Sequence, residues 1–123
     1  MSGPAVMFEI LAANQAKLAA FYSQVFGWKL QYDKEGYGYV HFPAAPRALM
    51  GGLGQAQPGV TGWGKGITFY LEVANLEATL ATVVASGGKV AVKPVSIDGY
   101  HFAMFEDPEQ NLIGIILPFS DTT

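Results

Sequence analysis

The sequence predicts an α+β fold made from two copies of one β-α-β-β-β unit, and three observations predict it. The stretch FEILAANQAKLAAFYSQVFGWKL, Phe8 to Leu30, is echoed by FYLEVANLEATLATVVASGGKV, Phe69 to Val90, in its order of apolar strand residues, asparagine, small-residue helix pattern, glycine and lysine. Asn14 and Asn75 are 61 positions apart, and Gly27 and Gly87 are 60 apart. Helix start and stop signals that recur at one interval point to a duplication. Each copy is then followed by short apolar runs separated by turn residues, which read as further strands.

Taken in order, AVMFEIL (5–11) is a short apolar strand. Asn14 stands where an N-cap belongs, ahead of Leu18, Phe21, Tyr22 and Val25 at helical spacing. Gly27 ends that helix, and WKLQYD (28–33) resumes extended chain. GYGYVHF (36–42) and RALMGGLGQ (47–55) are two more strands, joined by the turn PAAP. The second copy runs ITFYLEV, a helix capped by Asn75 with Leu76, Leu80, Val83 and Val84 on its apolar side, then Gly87 and Gly88, KVAVKP, YHFAMFE, the turn DPEQN and LIGIIL. The helix stripes Leu18, Phe21, Val25 and Leu76, Leu80, Val84 read as core. The modules cover about 5–55 and 66–118, with 56–65 as linker, inside a single domain of 1–123.

Each module lays one helix across one face of a four-stranded sheet. Two modules side by side form an open, curled mixed sheet whose concave trough carries no helix. That trough is where a ligand site is expected.

Composition removes several function classes. The chain has no cysteine, which excludes disulfides, thiolate metal sites and a cysteine nucleophile. Its net charge of −3, with seven Lys and Arg scattered singly, leaves no basic stripe for nucleic acid. No apolar run approaches the ~20 residues of a membrane span, and MSGPAVMFEI lacks the marks of a signal peptide, so a cytoplasmic location is expected. Charged residues are 14% of the chain and apolar residues 50%, a balance that predicts a self-association interface, and the sheet edges left by module pairing can meet a second copy in a homodimer. GGLG and GWGKG lack P-loop spacing, and no GxSxG elbow is present.

The segments FEI, FYSQVFGWKL, SGGKV and MFEDPEQNLIGI, in this order, resemble the vicinal oxygen chelate superfamily, which includes glyoxalase I, extradiol dioxygenases and bleomycin-resistance proteins. The resemblance runs from Val6 to Leu117. One departure is Gln110, where such proteins usually carry glycine in a tight turn; Asn111 is expected to absorb the left-handed backbone. The resemblance implies a divalent metal held from the first and last strand of each module, at positions that fall here on Met7, Gly52, Thr68 and Gly114. None of the four offers an imidazole or carboxylate, so no metal or other cofactor is expected. Met7 reads as a core filler. The two glycines read equally well as bends in curved strands or as space left for a ligand.

If Met7 faces the trough, strand alternation brings Glu9 with it, and Thr68 brings Tyr70 and Glu72. Aligning the copies through Phe42 and Phe105 adds Tyr39, His41, Phe102 and Met104 and turns His101 away. Trp63, in the linker, is a candidate aromatic lid or a subunit contact. Glu9 and His41 are the candidate catalytic pair, an imidazole and a carboxylate able to move a proton. The ligand wall is Tyr39, Trp63, Tyr70, Glu72, Phe102 and Met104.

These residues support a metal-free protein that binds a small aromatic or apolar organic molecule. A lyase or isomerase using Glu9 and His41, or a relocated metal, is the alternative. An interaction module with no ligand is the fallback.

Overall fold

The computed structural model describes residues 3–41 and 49–118, and within them the chain forms eight strands and two helices in β-α-β-β-β order, twice. The first copy comprises β1 (Ala5–Ala12), α1 (Gln15–Phe26), β2 (Lys29–Tyr32), β3 (Gly38–His41) and β4 (Met50–Gln55). The second comprises β5 (Gly66–Glu72), α2 (Leu76–Ala85), β6 (Lys89–Ile97), β7 (Tyr100–Glu106) and β8 (Leu112–Ile116). The turn PAAP and Phe42 lie outside the described residues. Two compact units result, one of residues 6–68 and one of residues 1–5 with 69–123.

Asn14 and Asn75 cap their helices as their spacing requires. Each side chain accepts a backbone N–H three residues on, from Lys17 at 3.1 Å and from Ala78 at 2.8 Å. Gly27 closes α1 in the left-handed conformation at φ 73°.

In the first unit β1 pairs in parallel with β4, which pairs antiparallel with β3 and through it with β2. Ile10, Ala12, Leu18, Ala19, Leu30 and Leu53 make the core between sheet and helix. In the second unit β5 pairs in parallel with β8, followed by antiparallel β7 and β6. Leu76, Leu80, Ala103 and Ile115 form its core, with Leu71, Val73, Phe105 and Leu117 packed around them.

The predicted helix stripes are only partly correct. Phe21 is 52% exposed, Val25 54% and Val84 54%, so none of the three is core. Helix α1 is rotated so that Gln15, Leu18, Ala19 and Tyr22 turn inward. The cause is polar. Gln15 donates from its amide to the carbonyls of Gly36 at 2.8 Å and Leu53 at 2.7 Å, and this clamp sets the helix's angle about its axis. In α2 the half-buried Val83, rather than Val84, completes the face begun by Leu76 and Leu80.

Two turns share one design. Asp33 accepts the N–H groups of Glu35 and Tyr37, and Asp107 accepts those of Glu109 and Asn111, each at 2.8–2.9 Å. The fourth residue of each turn is left-handed, Gly36 at φ 87° and Gln110 at φ 69°. Asn111 therefore does not absorb the left-handed backbone as expected; Gln110 carries it. Asn111 instead donates its side-chain amide to Asp107 at 2.9 Å.

Candidate functional site

Strand register decides which side chains share the face opposite each helix. In the first unit Glu9 stands opposite Gly52, and Gly52 opposite Tyr39, so these three form one row across β1, β4 and β3. In the second unit Tyr70, Gly114 and Met104 form the corresponding row, and Glu72, Ile116 and Phe102 the next. The predicted residues Tyr70, Glu72, Phe102 and Met104 thus lie together on one face. Tyr70 is 5% exposed, Met104 2%, and the Tyr70 and Phe102 rings meet edge to face with centroids 6.0 Å apart.

The same rows correct the alignment through Phe42 and Phe105. Tyr39 is the counterpart of Met104, since each pairs with the glycine of its module. Tyr37 is then the counterpart of Phe102. The alignment through the two phenylalanines is slipped by two residues, which preserves the face of each side chain but moves it one row along. His41 consequently sits at the exposed end of β3, opposite Lys29, in the row beyond Tyr39. Glu9 is two strands away, about 10 Å sideways at ordinary strand spacing. The structure does not bring Glu9 and His41 together.

The partner of Glu9 is Tyr37, which the sequence reading overlooked. Glu9 is 6% exposed, and Tyr37 donates its hydroxyl to Glu9 Oε2 at 2.6 Å. That length lies at the short end of the O–H···O range, about 2.5–3.0 Å. The signal was available in GYGYVHF, where alternation puts Tyr37 on the face of Tyr39. Three features position the Tyr37 side chain. Its backbone N–H is held by Asp33 at 2.8 Å, its ring meets Tyr39 at 5.1 Å and 64°, and it passes over two glycines of β4. A Cβ on Gly52 would overlap the Tyr37 phenol, and one on Gly54 would lie 2.9 Å from Tyr37 Cε1. On the opposite face a Cβ on Gly51 would collide with Phe8, whose ring packs against Trp28 at 5.7 Å. GGLG is a seat for two aromatic rings.

Trp63 is half-buried in a loop closed on itself, with Gln57 donating its N–H to the Trp63 carbonyl at 2.7 Å and Trp63 donating to Val60 at 2.9 Å. His101 faces the helix side, as expected. There it meets Ser96 at 2.6 Å beside an open groove of about 270 Å³ bordered by the first turn of α2.

A model of the Glyoxalase/Bleomycin resistance protein/Dioxygenase superfamily matches residues 5–115. The chain belongs to that superfamily. A glyoxylase-like domain-containing protein of Didymella fabae is 34% identical over 113 residues, covering 84% of each chain. Among solved structures, a hypothetical protein from Bacillus halodurans C-125 superposes with a TM-score of 0.74 at 14% identity, covering 100% of this chain and 99% of that one. A point variant of Streptomyces coelicolor methylmalonyl-CoA epimerase, in complex with 2-nitronate-propionyl-CoA, gives 0.71 at 12% identity, covering 100% and 98%. At these identities the structures establish the superfamily fold.

The superfamily's metal can be tested against the residues that stand here. Met7 offers a thioether at 6% exposure, Thr68 a hydroxyl, and Gly52 and Gly114 no side chain. The glycines do not leave open floor either, for the Tyr37 phenol lies where a side chain at 52 would begin, and the Tyr70 ring where one at 114 would. A hard divalent ion needs oxygen or imidazole ligands in number, and this donor set does not supply them. The residues do not fit the superfamily's metal.

Proposed function

We propose that this superfamily member binds a small planar or apolar organic molecule on the helix-free faces of its modules, without a metal at the superfamily's coordinating positions. The observation that carries the reading is the makeup of the rows through Gly52 and Gly114: aromatic and thioether side chains, Tyr39, Tyr70, Phe102 and Met104, surround positions that hold no ligating group. Aromatic contacts add about 0.5–1.5 kcal/mol per pair beyond the area they bury. Membership of a superfamily that includes bleomycin-resistance proteins supports a binding role.

Isothermal titration of the protein with a panel of hydroxylated and carboxylated aromatics is the test. Saturable binding that weakens at least tenfold in Tyr39→Ala or Phe102→Ala supports the reading. No binding at millimolar concentration across the panel overturns it.

One observation favours a second reading, a lyase or isomerase working by proton transfer. Glu9 is a buried carboxylate held at a fixed angle by Tyr37, an arrangement suited to a general base. His41 takes no part in it. Turnover of a carbon acid that is lost in Glu9→Gln and kept in His41→Ala would establish it.

A further inference from the structure

We propose that Tyr37 is the residue that closes the first module to a divalent cation. Its hydroxyl, held by Glu9, fills the place in which a coordinating side chain at position 52 would stand. The proposal is read with metal ions, so it stands or falls separately from the organic-ligand reading.

Absence of a ligand at position 52 would alone leave a small polar hollow beside a buried carboxylate, and such a hollow is open to a hydrated ion. This module differs. The space over Gly52 is taken by the Tyr37 phenol, and the same phenol uses Glu9 Oε2 as its acceptor at 2.6 Å. One side chain takes the volume and engages one of the two Glu9 carboxylate oxygens. The rest of the ring is fixed by Gly54 beneath it, by Tyr39 at its edge and by the Asp33 turn behind its backbone. An ion bound at Glu9 Oε2 and standing over Gly52 would have to displace that hydrogen bond and swing out a ring held on three sides.

The arrangement makes a specific demand on any attempt to restore coordination. Glu9 and Gly52 are register partners on adjacent parallel strands, so a carboxylate at 52 would emerge on the same face as Glu9, about 4.8 Å away at the backbone. Two such carboxylates with water suit Mn²⁺, a hard ion of oxygen sites. Gly52→Glu alone meets the phenol. Gly52→Glu with Tyr37→Ala does not.

Mn²⁺ titration calorimetry of the full chain, with circular dichroism as the check on folding, tests this. The double variant is expected to take up one Mn²⁺ per chain at least tenfold more tightly than Gly52→Glu, and to lose it when Glu9→Gln is added. A folded double variant within twofold of Gly52→Glu would overturn the proposal. The unmodified protein supplies an independent arm in case the double variant does not fold. Stoichiometric Mn²⁺ should leave the amide resonances of Glu9 and Gly52 sharp, and selective paramagnetic broadening of those two would equally overturn it.

Discussion

The ring of Tyr70 covers the α-carbon of Gly114, its register partner on the next strand, so closely that a Cβ there would overlap the ring and lie 2.8 Å from Cγ. Tyr70 is buried and edged by Phe102, which leaves it little room to retreat. Gly114→Ala is therefore expected to destabilise the protein by about 1–3 kcal/mol through overpacking. Gly64→Ala, where no atom lies within 4 Å of the added carbon, should stay within about 0.5 kcal/mol of the parent. Urea melts of the two variants make the comparison.

Gln110 is left-handed in a turn whose twin carries Gly36 at the same place. Non-glycine residues pay for that conformation, while glycine costs more entropy on folding. The balance predicts that Gln110→Gly stabilises by about 0.5–1 kcal/mol, seen as a melting temperature a few degrees higher. Gly36→Gln should lower it. Equal melting temperatures for parent and Gln110→Gly would contradict the shared design of the turns.

Hydrogen bonds from Asn111, its side-chain amide first and its backbone next, hold the Asp107 carboxyl below the usual carboxylate range. A carboxyl lowered in the folded state adds stability above its unfolded value, about 3.9, and loses that contribution as pH falls through the folded value. Asp107→Ala should thus be less stable than the parent at neutral pH, with the gap narrowing as pH drops below about 4. Chemical denaturation at pH 7 and pH 3 reads the sign.

The rotation of α1 predicts a contrast between two apolar helix residues. Phe21, half exposed, should tolerate Phe21→Ala within about 0.5 kcal/mol. Leu80, 6% exposed in the core of the second unit, should lose about 2–5 kcal/mol as Leu80→Ala. A large loss at Phe21 would mean that another surface covers it in solution.

The strands and helix ends were readable because their causes are local. Asn14, Asn75 and Gly27 act within a few residues, and alternation set the face of Tyr39, Tyr70, Glu72, Phe102 and Met104 correctly. Register is different. It depends on which residue of one strand meets which residue of another, and the copies could be slid by two positions without any side chain changing face; that slip paired Glu9 with His41 and hid Tyr37. Helix rotation failed to show for a related reason. The apolar stripe through Phe21 and Val25 was plain in the chain, but the hydrogen bonds of Gln15 to Gly36 and Leu53 join residues 21 and 38 apart and outweigh it. The three close glycines of GGLG were visible as a motif, yet their purpose emerges only once Tyr37 and Phe8 are seen lying on them.

The two halves cover matching glycines with tyrosines from places that do not match. Gly52 is covered from beside the third strand of its module, by Tyr37, and Gly114 from the first strand of its own, by Tyr70. Since Tyr37 corresponds to Phe102 and Tyr70 to Glu9, neither tyrosine descends from the other by copying. The two phenols thus fill equivalent places from non-equivalent positions of the repeat. What the halves share is an occupied volume, which laying one copy on the other residue by residue does not reveal.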